Sequence, residues 1–138
     1  MNILFVCSGN VGRSQIAEVI FNSLAQERNV ATSAGTTVKE NEGQKLRDME
    51  AASNVLTVLK EIGVDATENT RNQLTPELIE DADVVVSMAE VETLPEYLAN
   101  SPGIIYWKVA DPFNQSLEFT QDTRDEIGNL VKELLKTL

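Results

Sequence analysis

Short apolar runs alternate along this chain with longer stretches of helical period, and one run, DVVVSM at 83–88, is continuously apolar over Val84, Val85 and Val86. A strand of that kind has both faces covered, the environment of a parallel sheet held between two layers of helices. The rest of the chain fits the same pattern. NILFVC at 2–7 reads as the first strand and NVATSAG at 29–35 as the second. Between them, RSQIAEVIFNSLAQER places Ile16, Ala17, Ile20, Phe21, Leu24 and Ala25 on one helical face. A second helix is expected from about Gln44 to Ile62, with Gly63 placed to cap it. Thr75 and Pro76 mark the start of a third helix, as N-cap and first helical residue. A short helix is expected from Val91 to Leu98, a fourth strand in GIIYWKV at 103–109, and a closing helix over 123–138. The expectation is one domain over 1–138: an α/β, three-layer, doubly wound, four-stranded parallel sheet.

Ligands of such sheets bind beyond the carboxyl ends of the strands. Three loops fall there, namely Cys7 to Arg13, Met88 to Glu90 and Val109 to Phe113. Eleven Lys and Arg against 22 Asp and Glu give a net charge of −11, which repels polyphosphate backbones, so no nucleic-acid partner is expected. No apolar stretch approaches the roughly 18 residues of a membrane span, and no basic region precedes Ile3 to Val6. A cytoplasmic location without membrane attachment is therefore expected. The chain has one cysteine and no histidine. A lone thiol is either inert packing at a strand end or reactive chemistry, and composition does not choose between them.

The local pattern does. In VCSGNVGRS at 6–14, Cys7 ends a strand and five residues, Ser8, Gly9, Asn10, Val11 and Gly12, lead to Arg13 at the start of a helix. The loop N–H groups and those of the first helical turn have no ladder partners, and the helix dipole adds positive potential at the same point. Gly9 and Gly12 are expected to supply left-handed or tight backbone angles, and Arg13 a planar fork of donors for two phosphate oxygens. A tetrahedral dianion fits this arrangement, and the donors that favour it also favour a thiolate at Cys7. Ser14 is placed to donate to the same sulfur, and Asn10 suits a left-handed position from which its amide braces the loop. The nucleotide P-loop is excluded, since it needs Gly where Cys7 stands and Lys where Arg13 stands.

A cysteine, five residues and then Arg-Ser near the N-terminus resembles the signature of the low-molecular-weight protein tyrosine phosphatase family. ILFVCSGNVGRSQIAE at 3–18, SAGT at 33–36, ADVVVSM at 82–88 and DPF at 111–113 match it in family order. The resemblance implies a flavodoxin-like topology and metal-independent hydrolysis of a phosphomonoester without a cofactor. It also implies Cys7 as nucleophile, Arg13 as phosphate ligand and Asp111 as general acid and base. Ser14 would steady the thiolate, Asn10 the loop, and Phe113 would form a substrate wall where the family often has tyrosine. The implied partners are a phosphorylated protein or small aryl phosphate, with inorganic phosphate or other oxyanions as product or inhibitors. Tyr106 and Trp107 are further candidates for stacking, against core packing as the alternative.

The chain departs from the family pattern in having no histidine behind the loop and Gly12 where a second loop cysteine is common. It also resembles the arsenate reductases of the same fold, in FVCSGNVGRSQIAE at 5–18 and RDEIGN at 124–129. That branch relays a disulfide through two further cysteines, one of them where this chain has Ala89, so a reductase here would need an external thiol. A non-catalytic phosphate-binding module is the third reading, and it has no use for both Cys7 and Asp111.

Overall fold

The computed structural model describes residues 1–138. Strands β1 (Asn2–Cys7), β2 (Val30–Gly35), β3 (Val84–Ser87) and β4 (Ile105–Tyr106) form one sheet in the order β2-β1-β3-β4. Every pairing in it is parallel. The alternation of β1 divides the core. Ile3 and Phe5 pack with residues of α1 (Arg13–Leu24), α2 (Ser53–Glu61) and α5 (Leu117–Leu135) on one face of the sheet. Leu4 and Val6 pack on the other with Leu78 and Ile79 of α3 (Pro76–Asp81) and Leu98 of α4 (Glu96–Ala99). The sheet thus has helices on both faces, as the unalternating valines of β3 require. Because β2 lies to one side of β1 and β3 to the other, the winding reverses at β1. The crevice at the carboxyl end of β1 is the topological switch point where doubly wound folds bind ligands.

Several elements differ from expectation, each for a local reason. The stretch 44–62 is not one helix but two 3₁₀ turns, Leu46–Asp48 and Glu50–Ala52, followed by α2. Leu46 N–H donates to Asn69 O and Arg47 N–H to Thr67 O, so this segment spends its backbone donors on a neighbouring strand-like segment. The short helix expected over 91–98 is split by Leu94 and Pro95, both extended, into a 3₁₀ turn (Val91–Thr93) and α4. The residue before a proline is pushed out of the helical region. α1 stops at Leu24, where Ala25 is already extended. α5 begins six residues earlier than expected because Ser116 caps it, its Oγ accepting from Phe119 N–H. The fourth strand pairs only over Ile105 and Tyr106, and the chain beyond Trp107 turns towards the crevice. The expected caps of α2 and α3 are present. Gly63 has φ +86°, and Thr75 Oγ1 accepts from Leu78 N–H with Pro76 following.

The end of β2 is shaped by contact with the loop after β1. A Cβ on Gly35 would lie 2.6 Å from Ser8 O and 2.9 Å from Asn10 N, so only glycine lets strand and loop approach this closely. Gly35→Ala is therefore expected to cost about 1–3 kcal/mol through overpacking. In a thermal unfolding scan it lowers the melting temperature by several degrees, while Gly128→Ala, whose added Cβ meets only Ile20 Cδ1 at 3.8 Å, does not.

Candidate active site

The loop from Ser8 to Gly12 joins β1 to α1 at the switch point. None of its five backbone N–H groups donates to an acceptor within the protein. Its left-handed residue is Asn10, with φ 55°, as expected; neither Gly9 nor Gly12 has positive φ, and Gly12 instead holds φ −104° and ψ −88°, outside the helical and extended regions. A short polar side chain tolerates that conformation when its amide is fixed locally. Here all its sites are used. Asn10 Nδ2 donates to Ser14 Oγ at 2.7 Å and Ser33 Oγ at 3.0 Å, and Oδ1 accepts from Asn72 N–H at 2.8 Å and Gln15 Nε2 at 3.2 Å. Gln15 is tied in turn to Thr70 O and by Asn69 Nδ2. Gln15, Ser33, Asn69 and Asn72 therefore do the bracing in a chain that has no histidine. Sequence reasoning missed these four. Only Gln15 lies near the motif; Ser33 reaches it from β2, and Asn69 and Asn72 from the loop before α3.

Cys7 is 2 % exposed and lines the base of a cavity of about 510 Å³. Its Sγ lies 2.9 Å from Ser14 Oγ. Because that oxygen already accepts from Asn10, the serine hydroxyl proton is free to point at the sulfur. Arg13 is nearly buried, at 3 %. Its Nη1 donates to Met88 O at 2.6 Å, Val109 O at 3.1 Å and Glu90 Oε1 at 3.0 Å, and its Nη2 to Glu90 Oε2 at 3.3 Å. Asp111 Oδ2 lies 3.6 Å from Nη2. The arginine thus gathers the three expected loops around itself, and its Nε–H has no protein partner.

Glu90 was not foreseen as an individual site residue. Burial raises its carboxyl, but the hydrogen bonds and charge of Arg13, aided by the Ser8 hydroxyl, outweigh burial and hold it below its ordinary value of 4.5. The same cavity is lined by Asp111, Pro112 and Phe113. Asp111 Oδ1 accepts from Phe113 N–H at 3.0 Å, so an Asx turn orients the carboxyl in addition to any restriction by Pro112. Phe113 is 57 % exposed at the rim. Gly12 matters through that wall, since a Cβ there would sit 3.2 Å from Pro112 Cγ. Trp107 packs against Phe5 in the core, with ring centroids 5.6 Å apart, and neither it nor Tyr106 lines the cavity. Ala89, where a relay cysteine would stand, is buried. No helix is long and apolar enough to cross a membrane.

Comparisons with known proteins place the chain in a family. A family model described as "Low molecular weight phosphotyrosine protein phosphatase" matches residues 2–138. The chain belongs to that family. It is similar to the protein-arginine-phosphatase of Bacillus subtilis, at 32 % identity, with 100 % of this chain and 97 % of the relative covered. It is also 28 % identical to arsenate reductase 1 of Bacillus cereus, over 98 % of this chain and 94 % of that protein. Among solved structures, the low molecular weight protein tyrosine phosphatase from T. tengcongensis aligns with a TM-score of 0.77 and 32 % identity. That alignment covers 100 % of this chain and 99 % of the other.

A depressed carboxyl contributes stability that is present above its unfolded value and is lost as pH falls through the folded value. Wild type is therefore expected to lose an increment of stability below about pH 4.5 that Glu90→Gln lacks. Melting temperatures measured from pH 7 to pH 3 should show the two proteins converging at the acid end. A gap that stays constant across that range would remove the Arg13–Glu90 pair as its source.

Proposed function

We propose that the chain is a phosphomonoesterase that works through a phosphocysteine on Cys7, acting on an aryl phosphate such as protein phosphotyrosine. The observation that carries this reading is one cavity lined by Cys7, Ser8, Gly9, Val11, Gly12, Arg13 and Asp111, at a loop whose backbone N–H groups donate to nothing within the protein. In the first step Cys7 Sγ attacks phosphorus, the ester P–O bond breaks, and Asp111 delivers a proton to the departing oxygen. In the second, water attacks phosphorus, Asp111 takes its proton, and the S–P bond breaks to release inorganic phosphate. The loop N–H groups and Arg13 receive the equatorial oxygens, whose charge is spread over all three in the transition state. Glu90 and the two backbone carbonyls hold Arg13 in position. Ser14 donates to the sulfur both as thiolate and as leaving group.

Val11, Val55, Met49 and Phe113 supply apolar wall for a flat ring, which favours an aryl leaving group. A protein phosphoarginine is the second reading. The Bacillus subtilis relative supports it, as do the carboxylates of Glu50 and Asp111 in the same cavity, which suit a guanidinium leaving group. Arsenate reduction would need an external thiol, since Cys7 is the only sulfur able to form a disulfide.

The test is turnover of 4-nitrophenyl phosphate, phosphotyrosyl peptide and phosphoarginyl peptide, with arsenate plus thioredoxin or small thiols in parallel. Hydrolysis is expected to survive chelator and to fall to background in Cys7→Ser; activity persisting in that variant overturns the phosphocysteine. Asp111→Asn is expected to lower kcat by about 10²–10⁴-fold for poor leaving groups and far less for nitrophenolate. Equal slowing across a leaving-group series would remove Asp111 from proton transfer.

A further inference from the structure

Arg71 is the cationic group of this cavity that the proposed reaction leaves unused. It lines the same space as Cys7, Arg13 and Asp111, and it is 9 % exposed. Its Nε donates to Gly9 O and its Nη1 to Gln44 Oε1, each at 3.0 Å, while Nη2 donates to nothing. No carboxylate lies within 4.0 Å of it, although the chain carries 22. Arg13, by contrast, is paired with Glu90 and faces Asp111. A buried guanidinium without a counter-ion is costly, and one that lines a cleft marks a candidate binding position for an anion. Burial lowers the proton affinity of Arg71, and a negative charge on Cys7 opposes that effect, which puts the two groups in one electrostatic neighbourhood.

Its position divides the loop into two ends. The Gly12 end faces Pro112, next to Asp111, and the Gly9 end faces Arg71, whose Nη2 would lie 3.8 Å from a Cβ on Gly9. The main chain of Arg71 is pinned as well, by Arg71 N–H to Gln44 O and Gly43 N–H to Arg71 O, so the fork is presented rather than free to swing away. A chain of net charge −11 repels acidic substrates at long range, and a cation held inside the cavity is the local means of admitting one.

Resting on the phosphatase reading above, we propose that Arg71 is a specificity residue that binds a second anionic group carried beside the phosphoryl group of the substrate. The shared chemistry is a carboxylate or second acid within reach of Nη2, either on a small aryl phosphate or on an acidic residue flanking a phosphorylated side chain. The free Nη2 edge, with one donor already anchored on Gly9, suits a charge-assisted contact to such an oxygen.

The experiment compares matched pairs: phenyl phosphate with 3-carboxyphenyl phosphate, and a phosphotyrosyl peptide flanked by Glu with the same peptide flanked by Gln. Wild type is expected to favour the acidic member by about tenfold in kcat/KM in at least one pair, the size of one charge-assisted hydrogen bond. Arg71→Gln should bring that preference to about one and Arg71→Lys should retain part of it. Preference in the small pair alone identifies a small acidic substrate, and preference in the peptide pair alone an acidic phosphoprotein. A role confined to bracing Gly9 lowers both members equally, so an unchanged ratio in Arg71→Gln overturns the proposal, as does the absence of preference in wild type. Should Arg71→Gln fail to fold, the wild-type preference is read against salt: a contact to Arg71 makes it shrink from 0.02 to 0.5 M, and a salt-independent preference overturns the assignment. Thermal shifts of wild type with phenylphosphonate and 3-carboxyphenylphosphonate separate the two readings. An Arg71-dependent preference in binding without any turnover sinks the phosphatase alone, and turnover without preference sinks the Arg71 subsite alone.

Discussion

The whole site depends on one amide. Asn10 sits in the left-handed region with its side chain fully buried, and that conformation persists because each of its amide sites is satisfied. The two donors reach Ser14 and Ser33, and the acceptor takes Asn72 N–H and Gln15. A buried polar group half satisfied would cost more than an apolar one, so the network acts as a unit. It leaves the Ser14 hydroxyl proton for the Cys7 sulfur and joins the loop to the end of β2 and to the approach of α3. The close passage of Gly35 beneath Ser8 and Asn10 belongs to the same construction.

Arg13 performs the corresponding task across the sheet. Its bonds to Met88 O and Val109 O tie together the chain ends after β3 and β4, and Glu90 closes over it from the side. The chain after Trp107 gives up pairing with β3, and in the crevice it supplies Val109 O, the Asp111 carboxyl and the Phe113 rim. A shorter fourth strand is thus the counterpart of a better-defined active-site wall. The two arginines of the cavity differ for this reason: Arg13 is paired with Glu90 and held by the fold, whereas Arg71 has no carboxylate within 4.0 Å.

Legibility followed the range of the interactions. Elements governed by their own residues, such as the strand-loop-helix from Asn2 to Leu24 and the Thr75-Pro76 cap, were readable because propensity, capping and apolar period agree locally. The stretch 44–62 was not, since the competing acceptors, Asn69 O and Thr67 O, lie some twenty residues away. The start of α5 was missed because a polar run from Leu117 onward buries Thr120 and Thr123 against neighbours that sequence does not reveal. Among site residues, Cys7, Arg13, Ser14 and Asn10 stood out by spacing and Asp111 by resemblance. Glu90 and Arg71 carried no local signal, since an isolated charged residue in a loop is most often solvated.

The sequence by itself determined a parallel sheet covered on both faces, a cysteine at the end of its first strand and a donor-rich loop leading into a helix. These follow from apolar pattern and from residue types within a few positions of one another. Only the tertiary structure decided which side chains hold Asn10, that Glu90 neutralises Arg13, that Gly12 makes room for Pro112, and that Arg71 faces the cavity uncompensated. Each of those depends on groups brought together from distant parts of the chain. Whether a charge is paired or exposed is a property of that final packing, not of the residue's neighbours in sequence.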